Sequence, residues 1–218
     1  VSSGCGSSNV LEFLGIKFSN DYDFLRKCID KSNITFLHAP LFHSAMKNVA
    51  PVRRSLGFKT FFNILGPLVN PCQPKNQITG VYSLELARLY GDIFRNTDKN
   101  FSVLYSLDGY DEVSLTNEFK LINNKSEQIL DSSYFNLKKL EQNQIEGGYD
   151  IASSAKIFMD VLNDNCTEAQ KNVILANAAL AIKTISSKKI TECLSIARES
   201  LESKKALNSF NKLLSISK

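Results

Sequence analysis

The sequence predicts an α/β fold: a mostly parallel sheet flanked by helices, with a helical C-terminal part. Three observations lead there. Gln77–Tyr82 and Phe101–Ser106 each read as a short strand, and the amphipathic stretch Leu84–Thr97 lies between them. Strand, helix, strand at that spacing makes a parallel pair with a crossover helix. From about Asp150 onward, apolar residues recur at helical spacing to the end of the chain.

Taken in order, Ser7 and Ser8 are good N-caps for a short helix through Leu14, which Gly15 ends. Asp21–Lys31 has helical spacing at Phe24, Leu25, Cys28 and Ile29. Ile34–Leu37 reads as a short buried strand ending at Ala39-Pro40. Leu41–Ala50 reads as helix, which Pro51 interrupts or carries in a first turn; Lys59–Leu65 fits strand or helix equally. Ser83 is placed to cap the helix Leu84–Thr97. Between Glu112 and about Ile129 the pattern is short and alternating, as in antiparallel strands. Ile151–Leu162 is one helix and Thr167–Lys183 a second, capped by Thr167, with Ala169, Val173, Ala176 and Leu180 along one face. Two Lys-rich helices follow.

With 218 residues, 43% of them apolar, the chain can bury a sizeable core. Residues 1–218 read as a single α/β domain. No stretch approaches the roughly 18 uninterrupted apolar residues of a membrane helix, so no membrane is expected as a partner. Cysteines at 5, 28, 72, 166 and 193 are odd in number and widely spaced, which fits free thiols in a reducing cytoplasm. The net charge is +4, and the excess sits in residues 183–218, which hold eight Lys or Arg against three Glu. Without interleaved aromatics or a binding motif, that excess reads as a solvated helical surface, not a nucleic-acid patch.

The most distinctive segment is Phe62-Asn63-Ile64-Leu65-Gly66-Pro67-Leu68-Val69-Asn70-Pro71. Gly66 lets the backbone take unusual conformations or approach a ligand, while Pro67 fixes its own φ and has no N–H. Asn70-Pro71 punctuates the chain again. Upstream lie His38-Ala39-Pro40-Leu41-Phe42-His43-Ser44-Ala45-Met46-Lys47 and Val49-Ala50-Pro51-Val52-Arg53-Arg54-Ser55-Leu56-Gly57. Downstream is Asp108-Gly109-Tyr110-Asp111-Glu112-Val113-Ser114-Leu115, and near the start is Ser2-Ser3-Gly4-Cys5-Gly6-Ser7-Ser8-Asn9-Val10-Leu11-Glu12. Both Ala39-Pro40 and Asp108-Gly109 follow predicted strands, and α/β sheets carry their ligands beyond strand C-termini.

In order and approximate spacing, these blocks resemble the anthranilate phosphoribosyltransferases, from Val1 to about Leu214. The resemblance implies a nucleoside phosphorylase/phosphoribosyltransferase-like fold. It also implies that the chain is an incomplete form of the larger domain of a two-domain enzyme. Two departures stand out. The family's Gly-Thr-Gly-Gly-Asp phosphate loop and Lys-His-Gly-Asn segment have no counterpart here, so the piece alone is expected to be inactive. Asn9 stands where the family usually has Asp.

On residue type alone, Asp111-Glu112 fits either a surface pair or, on a turn, two hard oxygen ligands for Mg²⁺. Arg53 fits a helix-surface ion pair or a bidentate carboxylate clamp that a Lys cannot copy. Ser2, Ser3 and Ser7 precede a helix start, where backbone N–H groups and hydroxyls can meet a phosphate. His43 suits a ligand contact and a packed helix histidine equally, and His38 with His43 makes no metal site without further ligands. The resemblance implies roles for these positions: Mg²⁺ on Asp111 and Glu112; phosphoribosyl pyrophosphate on Val1, Ser2, Ser3 and Ser7; anthranilate on Arg53, Ala39, His43, Gly66 and Pro67. It implies no general acid or base. A homodimer of the full-length protein and association with anthranilate synthase are implied as well. Two other readings keep the fold: a nucleic-acid-binding paralogue without transferase activity, and a nucleoside phosphorylase. Retention of Arg53 and Asp111-Glu112 speaks against the first, and Asn63–Pro67 against the second.

Overall fold

The computed structural model describes residues 6–42 and 62–218. Val1, Ser2, Ser3, His43 and Arg53 lie outside the described residues, as does most of the helix expected over Leu41–Ala50. The chain divides into two compact units: one made of Val1–Pro71, Gly147–Asn163 and Lys204–Lys218, the other of Cys72–Glu146 and Asp164–Ser203.

The first unit is helical among its described residues. Helix α1, Ser7–Phe13, is capped by Gly6 and not by Ser7 or Ser8, which fall inside the helix. The Asn9 side-chain oxygen reaches back 3.1 Å to the Gly6 N–H, so a residue in the first turn satisfies the helix start. At the other end Gly15, at φ +96°, donates to Glu12 and Ile16 donates to Leu11, the paired bonds of a Schellman stop. Helix α2, Tyr22–Ser32, starts on Asp21, whose carboxylate accepts from Phe24 N–H at 2.7 Å.

Ile34–Leu37 does not form the expected strand. The segment has no regular secondary structure and is only partly buried, with Ile34 exposed. Phe36 meets the edge of Phe18, and His38 stacks on Phe18 at 4.6 Å. Two aromatic contacts therefore fasten the segment in place of a ladder. Helical turns follow at Ala39–Phe42 and Phe62–Leu65, and a 3₁₀ turn at Gly66–Leu68 carries Pro67 in its first positions.

Helices α4, Ile151–Leu162, and α7, Lys205–Ser217, belong to the same unit. Helix α1 packs on α4, and α2 on α7. Their shared core holds Leu11, Ile16, Cys28, Phe210 and Leu213, with Phe158 set edge-on to Phe210.

The second unit is a four-stranded sheet with helices. Strand β1, Asn76–Gly80, runs parallel to β2, Asn100–Ser106, and α3, Leu84–Arg95, crosses between them. Ser83 caps α3 as its residue type predicts. Strands β3, Phe119–Asn123, and β4, Glu127–Leu130, add on antiparallel, so the described sheet is mixed, with one parallel pair and two antiparallel ones. The turn between β3 and β4 is short enough for a hairpin, which makes antiparallel pairing the natural outcome.

Helix α5, Glu168–Ile185, is capped by Thr167, and α6, Ile190–Glu202, packs against it. Ala169, Val173, Ala176 and Leu180 of α5 face a core with Leu104, Val113, Leu115, Phe119, Leu121 and Phe135. Lys171, nearly buried, holds Asp164 and Glu202 at 2.9 Å each and so ties the start of α5 to the end of α6. No helix is long and apolar enough to cross a membrane among the described residues.

Candidate functional site

Asp111 and Glu112 lie on the loop that leaves the C-terminal end of β2, the edge where the parallel pair is expected to place ligands. The loop begins with a tight turn. Gly109 N–H donates to Ser106 O at 2.9 Å with Gly109 at φ +98°, a conformation that side chains disfavour. Ser106 N–H in turn takes the Tyr110 carbonyl at 3.0 Å, which curls the loop back over the strand end.

The acidic pair is held from its backbone. Ser106 Oγ donates to the Glu112 carbonyl at 2.6 Å. Gly80, the last residue of β1, lies so close that a Cβ there would stand 2.1 Å from the Asp111 carbonyl oxygen. On the far side, Val113 and Leu115 are buried in the core. Asn177 of α5 grips Val113 twice: its Oδ1 accepts from Val113 N–H at 3.0 Å, and its Nδ2 donates to Val113 O at 2.8 Å. Asp108 does not join the acidic pair chemically. Its carboxylate accepts from Ser114 Oγ at 3.2 Å and from Thr116 Oγ1, bonds that fold the loop exit. Leu115 itself sits at φ +63°, an uncommon conformation for a non-glycine residue, with its carbonyl taken by Leu140 N–H at 2.9 Å.

Asp111 and Glu112 are both exposed residues. Glu112 nonetheless has its carboxyl pKa raised, first by the water its protein surroundings remove and second by the charge of Asp111, against a small opposing pull from a backbone hydrogen bond. Two adjacent carboxylates on a fixed loop, one reluctant to ionise, gain from a hard cation that neutralises both. The pair therefore fits magnesium. No group of three or more His, Cys, Asp or Glu positioned for a metal occurs among the described residues, so remaining ligands would be water or substrate oxygens.

The other expected site residues that are described lie in the helical unit. Ala39 and Gly66 are exposed, and Pro67 is partly buried. Among the described residues a Cβ on Gly66 would meet nothing within 4 Å, and its φ is not in the left-handed region, so its local backbone imposes no need for glycine. Ser7 is the first residue of α1. Ala39-Pro40 does not follow a strand, since Ile34–Leu37 forms none. Asn177, Gly80 and Ser106 escaped the sequence reading. Asn177 in particular sits 64 residues from Val113, and its only local sign is a polar residue amid the apolar face of α5.

Residues 1–207 match the model of the glycosyl transferase family, a/b domain. The chain belongs to that family. Within this glycosyl transferase group it is 58% identical over 217 residues to the anthranilate phosphoribosyltransferase of Christiangramia forsetii, with 100% of this chain and 66% of the relative covered. The Flavobacterium psychrophilum enzyme of the same name is 54% identical at the same coverage. The chain thus spans about two thirds of these relatives, a little under that share. Among solved structures, the Saccharomyces cerevisiae anthranilate phosphoribosyltransferase in complex with PRPP and Mg is similar with a TM-score of 0.89 at 28% identity, over 100% of this chain and 62% of that one. The Thermus thermophilus enzyme gives 0.87 at 26%, over 97% and 64%. The α/β fold with flanking helices, nucleoside phosphorylase/phosphoribosyltransferase-like, that the sequence implies is therefore the fold observed, with the described sheet mixed where a mostly parallel one was expected.

Proposed function

We propose that this chain forms the greater part of an anthranilate phosphoribosyltransferase, belonging to the larger domain of a two-domain enzyme. The reaction transfers the phosphoribosyl group of phosphoribosyl pyrophosphate to the amine of anthranilate. The products are N-(5-phosphoribosyl)anthranilate and pyrophosphate, a step of tryptophan biosynthesis. The observation that carries this reading is the exposed Asp111-Glu112 pair on the loop that leaves β2, in a chain of the glycosyl transferase a/b family. The yeast relative, solved in complex with PRPP and Mg and separately with 4-fluoroanthranilate, supports the choice of substrates.

In this reading Asp111 and Glu112 hold Mg²⁺ against the pyrophosphate. When bound, the ion offsets the negative charge that gathers on the leaving group. Val1, Ser2, Ser3 and Ser7 contribute hydroxyls and N–H groups to the phosphoribosyl donor. Arg53 fixes the anthranilate carboxylate by a bidentate pair, which aims the ortho amine at the sugar. Ala39, His43, Gly66 and Pro67 line the path of the aromatic ring; the open face of Gly66 leaves room for one. The aromatic amine is already neutral near pH 7, so the reaction needs orientation and charge neutralisation more than a strong base. We assign no residue to proton transfer.

The same reading carries a homodimer of the full-length protein, association with anthranilate synthase and a cytoplasmic location. It also holds that residues 1–218 alone turn over little or no anthranilate. The test is steady-state assay of the full-length protein with both substrates. Arg53→Ala should raise the KM for anthranilate much more than that for phosphoribosyl pyrophosphate. Equal effects on the two would remove the carboxylate role of Arg53.

A further inference from the structure

We infer that Asn177 of α5 is a positioning residue for the acidic pair, acting through the backbone of Val113. This inference rests on the reading of Asp111-Glu112 as the metal-binding pair and deepens it.

Of the contacts that hold the loop around these carboxylates, three differ in kind. The Gly80 contact is steric: it keeps Asp111 from moving toward β1. The Ser106 hydroxyl takes the Glu112 carbonyl and also accepts from Ser114 N–H at 3.3 Å, so it rounds the loop from inside. Asn177 alone of the three comes from a helix remote in sequence. It bonds both polar groups of one peptide residue, accepting from Val113 N–H and donating to Val113 O. Its remaining amide hydrogen goes to Val173 O at 2.9 Å, one turn back on its own helix. That bond fixes which end of the amide faces which group. With Nδ2 committed to two carbonyls, Oδ1 must be the atom that meets the N–H.

The consequence is directional. Val113 immediately follows Glu112, and its side chain is in the core. Backbone held at residue 113 and blocked at residue 111 leaves the two carboxylates little freedom relative to each other. Neighbouring side chains on an extended segment diverge, so two consecutive carboxylates can serve one ion only if the backbone between them is held in a turn. Asn177 supplies the fixed end. Leucine would fill the volume but strip Val113 of both partners. Aspartate would keep the acceptor and lose the donor. The residue type is thus set by the need to donate and accept at one peptide, which among side chains of this length only asparagine meets in neutral form.

The test uses the full-length protein and Mn²⁺ as the probe, with binding followed by electron paramagnetic resonance in the presence of inorganic pyrophosphate. Thermal stability is measured beside it. Asn177→Ala should weaken Mn²⁺ binding about tenfold or more, the scale typical of residues that orient metal ligands, and leave the KM for anthranilate unchanged. Lys171→Met, on the same helix and also destabilising, should leave Mn²⁺ binding as in the parent. Should Asn177→Ala fail to fold, Asn177→Asp keeps the acceptor half and should give an intermediate weakening. Unchanged Mn²⁺ binding in a folded Asn177 variant would overturn the inference while leaving the metal site standing, provided Asp111→Asn with Glu112→Gln abolishes binding. Unchanged binding in that double variant would overturn the metal site and this inference together.

Discussion

Gly80 and Asp111 touch through their backbones: the position of a Gly80 Cβ lies 2.1 Å from the Asp111 carbonyl oxygen. No side chain fits there without movement of β1 or of the loop. Gly80→Ala should therefore destabilise the protein by about 1–3 kcal/mol, as overpacking does, and weaken Mg²⁺-dependent activity. Denaturant unfolding and a Mg²⁺ titration of the full-length enzyme check the two parts. A variant with full stability and unaltered Mg²⁺ response would show that the contact is slack.

Glu112 gives a pH dependence with a definite sign. Its pKa in the fold is raised above the ordinary carboxylate value, so the folded state prefers its protonated form. Relative stability is present below the unfolded pKa and is lost as pH rises from there through the raised folded value. Above that window the ionised Glu112 strains the metal-free protein. Glu112→Gln should then stabilise the metal-free protein at neutral pH while it weakens metal binding, an exchange common at functional sites. Differential scanning calorimetry with chelator present measures the first effect.

Metal binding has the complementary profile. The ion needs the ionised pair, so Mn²⁺ affinity should fall on acidification at a pH above that of an ordinary Glu. Asp111→Asn removes the neighbouring charge that helps raise the Glu112 pKa. It should move the acid limb of any remaining affinity to lower pH. A limb that stays in place would mean that desolvation alone sets the shift.

Asn9 makes a quieter prediction. Its side-chain oxygen already accepts from Gly6 N–H, and an aspartate oxygen can do the same. Asn9→Asp should keep the helix start and add a favourable charge near it, raising stability by at most about 1 kcal/mol. Thermal unfolding of the variant checks it, and a clear loss of stability would mean that the added charge meets an unfavourable neighbour.

Much of the second unit was legible because its signals are local. Ser83 and Thr167 cap the helices that their residue types announce, and the apolar stripe of α5 at Ala169, Val173, Ala176 and Leu180 is the stripe that faces the core. The parallel pair β1–β2 followed from two strand-like segments separated by one amphipathic helix. Ile34–Leu37 misled because a short, largely apolar segment specifies burial better than pairing; Phe18 satisfies part of that need by ring contacts with Phe36 and His38. Gly6 displaced the serines as cap because Asn9 supplies the acceptor from within the helix. Around the acidic pair, residue identity was readable but its support was not. Gly80 matters through a neighbour 31 positions away and Asn177 through one 64 away, and no local period records either.

The measurement that bears most directly on the proposed site is Mn²⁺ binding to full-length protein carrying Asp111→Asn and Glu112→Gln, with pyrophosphate present and folding verified. Binding should be abolished, a loss beyond the roughly 10–100-fold typical of groups that only orient metal ligands, and phosphoribosyl transfer should fall with it. Parent-like binding in a folded double variant would contradict the assignment of these carboxylates to the metal.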